Sequence, residues 1–328
     1  GPEMTVNTAL TPTSAAGPDT HRGRAAATAL GRRAGDELTD ATTLVAQLRV
    51  GLHAFADPEY QDGQRRIAPG IGPVIGVRRP LLDAVTSGLR AATRRDSSST
   101  VLDLAEAMLR APEPELHWLA IDLLHRTIAT DPERSWQIVR AISRAACEWI
   151  TVDSLAHVAA AGIVREPYRW AELEQLVYSP SRWERRLAGS TVATLPFEDR
   201  VLGRTPDVVR RGLDIVADLI GDPEPDVQKA LAWGLRNLHA VDAAAVEAFV
   251  RREATTAAAT DDGHRARVVR DTFEKLPAAL VTELRSGLDG VRRHPGQPGT
   301  SRAAATAAAF TGLGVDVAPA ERPVVPRT

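Results

Sequence analysis

Asp222-Pro223-Glu224-Pro225-Asp226-Val227-Gln228-Lys229-Ala230-Leu231-Ala232-Trp233-Gly234-Leu235-Arg236 is the stretch on which the fold turns. It opens with carboxylates and prolines, which suit the first turn of an α-helix. The acids meet the positive end of the helix dipole, and proline lacks only an N–H that has no helical partner there. Behind them, Leu231, Leu235 and Leu238 recur at helical spacing. The same punctuation stands at Asp57-Pro58-Glu59, Pro112-Glu113-Pro114-Glu115, Asp131-Pro132-Glu133 and Ser179-Pro180-Ser181. Arg185-Arg186-Leu187-Ala188 repeats the basic-then-small pattern of Gln228-Lys229-Ala230-Leu231-Ala232. Such recurrence predicts helix pairs of irregular length stacked into a curved solenoid with a concave inner surface. A plain helical bundle is the alternative.

Working outward, Leu44, Leu48 and Leu52 share one helical face, and Val101, Leu104 and Met108 another. Pro80, Thr100 and Pro206 mark further helix starts. Strand-like alternation is hard to find, so the fold class is all-α. Residues 1–35 lack apolar periodicity and read as a disordered N-terminal tail, in which Gly1-Pro2-Glu3 before Met4 resembles a protease-cleavage scar. Residues 36–292 form the repeat domain. Residues 293–328, with five prolines, read as a Pro/Ala-rich C-terminal tail, within which Arg302–Phe310 has the pattern of a short helix.

Composition sets the bounds. The chain has 328 residues, 44% hydrophobic and 25% charged, as in globular proteins. A net charge of −2 argues against a uniformly basic nucleic-acid binder. Of the cations only Lys229 and Lys275 are lysines, and many arginines come in pairs, among them Arg78-Arg79, Arg94-Arg95 and Arg185-Arg186. Pairs of this kind face solvent, or line a basic groove if the carboxylates gather elsewhere. The single cysteine, Cys147, can form no internal disulfide and is expected as a small buried hydrophobe, which fits a reducing cytoplasm. No apolar run is long enough to cross a membrane. Motifs for phosphate loops, zinc proteases or serine hydrolases do not occur, and the eight histidines are scattered, so no cofactor or metal is expected.

Three segments set large aromatics beside ionisable groups: Cys147–Leu155, Ser181–Ala188 and Val227–Arg236. They contain Trp149 four residues before Asp153-Ser154, then Trp183 with Arg186 and Ala188, then Gln228-Lys229-Ala230-Leu231-Ala232-Trp233-Gly234-Leu235-Arg236. Gly76-Val77-Arg78-Arg79-Pro80 and Ala120-Ile121-Asp122-Leu123-Leu124 precede them. In order and spacing, over about residues 55–275, these elements resemble the AlkD-like DNA glycosylases, the HEAT-like repeat family of DNA alkylation repair proteins.

The resemblance implies a C-shaped HEAT-like α-solenoid holding duplex DNA in its concave face. It implies a monofunctional glycosylase that releases cationic N3- or N7-alkylated purines without cofactor, as a monomer. Some relatives excise bulky genotoxin adducts as self-resistance. By motif, Asp153 is the catalytic carboxylate, and Trp149 and Trp233 line the sugar. Arg186 falls at a DNA-contacting position, and Arg185, Arg78, Arg79 and Lys229 are the further DNA-binding candidates. The chain departs from the family where Glu148-Trp149 replaces an aromatic pair, and near Ile67, where a tyrosine is usual. The second change opens the cleft and alters which lesions fit. Plainer readings stand beside these: Asp153 as an N-cap, Trp149 and Trp233 as core, Arg186 as an ordinary surface cation, and the whole chain as a non-catalytic HEAT-like scaffold. Trp118, Trp136 and Trp170 are expected in core or inter-repeat packing.

Overall fold

The computed structural model describes residues 18–36 and 40–312. Among them are sixteen α-helices and no strand, so the all-α expectation holds. The chain divides into two compact units, the first reaching Ser154 and the second starting at Leu155. The first holds α1 (Pro18–Asp36), α2 (Ala41–Ala54), α3 (Pro58–Ile67), α4 (Arg79–Thr93), α5 (Ser98–Leu109), α6 (Pro114–Thr127), α7 (Pro132–Ala145) and the opening of α8 (Trp149–Arg165). The second holds the rest of α8, α9 (Trp170–Leu176), α10 (Arg182–Glu198), α11 (Pro206–Leu219), α12 (Pro225–His239), α13 (Ala243–Thr260), α14 (Gly263–Arg270), α15 (Ala278–Gly287) and α16 (Arg302–Gly312).

The punctuation does its expected work. Asp57 accepts the N–H of Tyr60 at 3.1 Å, Asp131 that of Arg134 at 3.4 Å, and Thr205 that of Val208 at 3.2 Å. Pro58, Pro132 and Pro206 fill the next position, where no N–H is missed. One start is displaced: Ser97, not Thr100, caps α5, by accepting the Thr100 N–H at 3.2 Å. Within the second unit α11 packs on α12 and α13 on α14, while α10 packs on α12 and α12 on α14. Neighbours in sequence pair, and helices two apart stack, which is the signature of a repeat rather than a bundle. No helix among the described residues is long and apolar enough to cross a membrane.

The most extensive helix contact in the first unit joins α1 to α4. Its seam is built from small residues. A Cβ on Gly31 would stand 2.1 Å from the Val85 carbonyl oxygen, and one on Gly88 would stand 2.1 Å from that of Thr28. Ala27, Leu30 and Ala34 are buried beside them. Residues 18–35 are therefore no tail, and the first unit begins well before residue 36. The face shows no periodicity of bulky apolar side chains because glycine and alanine carry it. Residues 1–17 lie outside the described residues.

The C-terminal boundary also moves. The Thr300 N–H donates to the Gly221 carbonyl at 2.9 Å, Ser301 and Ala303 are buried, and α16 packs on α11. The segment expected as a tail from residue 293 is thus docked on the second unit as far as α16. Residues 313–328 lie outside the described residues.

Candidate functional site

In the first unit, the loop between α3 and α4 builds a platform. Glu115, wholly buried, accepts the backbone N–H groups of Ile75 and Gly76, each at 3.0 Å. Burial pushes its carboxyl pKa up despite those bonds. Gly76 has φ +86°, and a Cβ there would meet the Asp57 carbonyl oxygen at 2.8 Å, so the turn demands glycine. Ala68, Ile71 and Val74 of this loop form a small core with Ile150, and Trp118 and Trp149 pack against it partly buried.

Trp149 opens α8, and its indole N–H donates to the Ile67 carbonyl at 2.8 Å. The Trp118 indole N–H donates to Thr151 Oγ1 at 3.0 Å, and that hydroxyl donates in turn to Glu148. Glu148, 2% exposed, accepts the N–H groups of Ile150 at 2.6 Å and Thr151 at 3.1 Å. Burial raises its pKa, the bonds from Thr151 and Ile150 lower it, and nearby Asp153 raises it further. The helix N-terminus is thereby capped by Glu148. Asp153 lies one turn inside α8, so the N-cap reading of Asp153 is overturned. It is half-buried on the face that Trp149 also occupies, at i and i+4. The structure therefore brings Trp149, Asp153 and Ile67 into one neighbourhood.

Glu148, Glu115 and Trp118 are members of this neighbourhood that the sequence reading missed. Trp118 packs partly buried against the same small core as Trp149 and bonds to α8, in keeping with the packing role expected of it. The available signal was an acid directly before a helix with threonine three residues on, Glu148-Trp149-Ile150-Thr151. Cys147 is another correction. It is exposed, with its thiol donating to the Gly70 carbonyl at 3.1 Å. Desolvation of the sulfur and the adjacent Glu148 push the thiol pKa up. Trp136 and Trp170 are buried, as expected.

Arg78 and Arg79 differ. Arg78 Nε lies 2.7 Å from Asp57 Oδ2, with its guanidinium 5.7 Å from the Tyr60 ring centroid. The Asp57 carboxyl is held low by the Tyr60 N–H first and by Arg78 second. Arg79 is exposed, 3.7 Å from Asp83.

In the second unit, Lys229 is exposed on α12 and Trp233, one turn on, is half-buried, so Trp233 is not a core residue. Arg185 and Arg186 depart from the expected groove wall. Arg185 pairs with Asp222 at 2.7 Å and donates to the carbonyls of Ser179 and Pro180. Arg186 is 3% exposed and donates to the Asp226 carbonyl at 2.8 Å, tying α10 to the start of α12. Both guanidinium groups are spent on the stacking of successive pairs. Gln228, also buried, donates to the Asp222 carbonyl at 2.7 Å. No cluster of three His, Cys, Asp or Glu side chains that could hold a metal ion occurs among the described residues.

The family model described as DNA alkylation repair enzyme matches residues 48–262, more than half of the chain, and the chain belongs to that family. One solved structure similar to it is described as a predicted DNA alkylation repair enzyme from Enterococcus faecalis. It is 15% identical, with a TM-score of 0.49, over 73% of this chain and 98% of that one. No curated protein matches the sequence.

Proposed function

We propose that this chain is a monofunctional DNA glycosylase that hydrolyses the N-glycosidic bond of cationic N3- or N7-alkylated purines in duplex DNA, with Asp153 as its catalytic carboxylate. Membership of the repair family supports a DNA substrate. The observation that carries the chemistry is the pairing of Asp153 with Trp149 on one face of α8, while Glu148 takes over the capping that would otherwise explain an acid there. An alkylated purine bearing positive charge is already a good leaving group, so no general acid is required. The sugar left behind is oxocarbenium-like, electron-poor at its anomeric carbon. A carboxylate stabilises that charge and can align water, and an indole face flanks a cationic sugar better than any other side chain. The indole is held by its bond to the Ile67 carbonyl, so the ring keeps one orientation.

Trp233 keeps by motif its candidate role in the second unit, and Lys229 and Arg79 are assigned as phosphate contacts, because the family motif and their exposure favour them over Arg185 and Arg186. The smaller aliphatic side chain of Ile67 beside Trp149 favours lesions bulkier than a methyl group. The test is incubation with duplex DNA carrying either methylated or bulky alkylated purines. Freed base and alkali-labile sites are expected. Tight duplex binding with no base release over hours would instead establish a non-catalytic scaffold.

A further inference from the structure

The C-terminal ends of α4 and α6 lie side by side in the first unit and present two rungs of facing side chains. On the first rung, Arg90 of α4 forks onto Asp122 of α6, with Nε 2.7 Å from Oδ2 and Nη2 bonded to Oδ1. One turn further along each helix, at i+4, stand Arg94 and Arg126. This second rung has no carboxylate. Between the ends lies a cleft of about 560 Å³ lined by Arg90, Arg94, Asp122, His125 and Arg126 with Ala91 and Leu123 beneath. Its one acid is already committed to Arg90. Asp83, further back on α4, is drawn toward Arg79, and Asp96, two residues after Arg94, does not line the cleft.

The two cations of the open rung are prepared differently. Arg126 is positioned: its Nη2 donates to Thr93 Oγ1 at 3.0 Å, and Thr93 is wholly buried. Arg94 makes no ion pair or hydrogen bond among the described residues and is exposed. Helix C-termini favour cations through the dipole, which suits both Arg94, the C-cap of α4, and Arg126 in the last turn of α6. Two guanidinium groups lining one cleft repel one another, and a compact anion bound between them would offset that repulsion.

We propose that this cleft binds a phosphate group through Arg94 and Arg126, and that a phosphodiester of the bound duplex supplies it. Planar guanidinium forks match tetrahedral oxyanions, and a phosphodiester is small enough to enter from one side while its strand stays outside. The duplex source rests on the glycosylase reading; the phosphate chemistry does not.

The test uses the full chain with Arg94→Gln, Arg94→Glu and the double Arg94→Gln/Arg126→Gln change. Arg94 holds no structural bond, so its variants should melt as the wild type does, and they remain informative if loss of the Thr93 contact unfolds the double variant. Duplex affinity is expected to fall roughly tenfold in the double variant, with the log–log salt slope shallower by about two, and by about one for Arg94→Gln. Single-turnover base release at saturating protein should stay unchanged. In a second arm, inorganic phosphate is titrated against the melting midpoint. Stabilisation of the wild type but not of Arg94→Glu, with unchanged duplex binding, would assign the cleft to a free phosphate ligand and support the phosphate chemistry alone. Unaltered affinity, slope and phosphate response in folded variants would overturn the proposal. If wild-type base release is also seen, the glycosylase reading stands without the cleft.

Discussion

The carboxylate of Glu148 accepts the N–H of Thr151 at 3.1 Å and, through its second oxygen, that of Ile150 at 2.6 Å, while it also receives the Thr151 hydroxyl. A capped start fixes the first turn of α8, and with it the azimuth of Asp153. Capping side chains contribute about 0.5–2 kcal/mol. Glu148→Ala is therefore expected to lower the melting midpoint and to loosen Asp153. The pH dependence follows from the raised pKa of Glu148, whose ordinary value is 4.5. A carboxyl with a higher pKa folded than unfolded contributes stability that is fully present below about 4.5 and is lost as pH rises through the folded value. The gap in melting temperature between wild type and Glu148→Ala should thus be widest in acid and narrow towards neutrality. A gap that grows with pH would show that the ionised form is the one the fold prefers.

Asp153→Asn separates chemistry from architecture. Because the helix is capped elsewhere, the amide should melt within a few degrees of the wild type and bind duplex normally. Base release under single-turnover conditions should slow by roughly 10²-fold or more, the usual weight of such a group. An undiminished rate in the folded variant would remove Asp153 from the mechanism.

Trp149 gives a graded series. Its partial burial on the Ile71–Val74 cluster means that Trp149→Ala should cost less than the roughly 3–5 kcal/mol of a fully buried tryptophan. Trp149→Phe keeps an aromatic on the platform and loses the bond to Ile67, about 1 kcal/mol. Both should impair base release, the alanine more. Stable variants with full activity would show that the ring packs and does nothing else.

Arg186 and Lys229 are expected to fail in opposite ways. Arg186→Ala empties a buried bond to Asp226 and should destabilise by about 1–3 kcal/mol while leaving the salt slope of duplex binding as it was. Lys229→Ala, at an exposed position, should leave the melt unchanged and make the slope shallower by about one. Melting curves and salt titrations of the two proteins distinguish these roles directly.

Gly88→Ala places a methyl group where the Thr28 carbonyl oxygen already stands, so α1 must move away from α4. The melting midpoint should fall by several degrees, and removal of residues 1–36 should have at least as large an effect. A truncated chain as stable as the full one would mean that α1 contributes nothing to the first unit.

These residues also show what could be read in advance. Helix starts were legible because an acid, a serine or a proline acts over one turn, as Asp57, Asp131 and Pro206 do. The position of Asp153 four residues after Trp149 was legible as a motif, since that spacing alone sets a common face. Other features are products of packing between segments distant in sequence. The burial of Arg186 depends on a carbonyl 40 residues away, and the Glu115 anchor on a loop 39 and 40 residues upstream. The α1 seam was hidden for a different reason: two helices approach most closely where side chains are smallest, and glycine and alanine give no hydropathy signal.

The bond that steadies Trp149 ends on a main-chain oxygen, not on the side chain of Ile67. A contact of that kind survives any replacement at position 67 that keeps the local backbone. The chain can therefore exchange the group that stands next to the indole, large for small or aromatic for aliphatic, without retuning the ring itself. On the proposed reading, selectivity and the catalytic framework would be carried by separate atoms of the same residue. A saturation library at position 67 should thus yield mostly folded proteins whose preferences diverge, making it an economical place from which new lesion ranges could evolve.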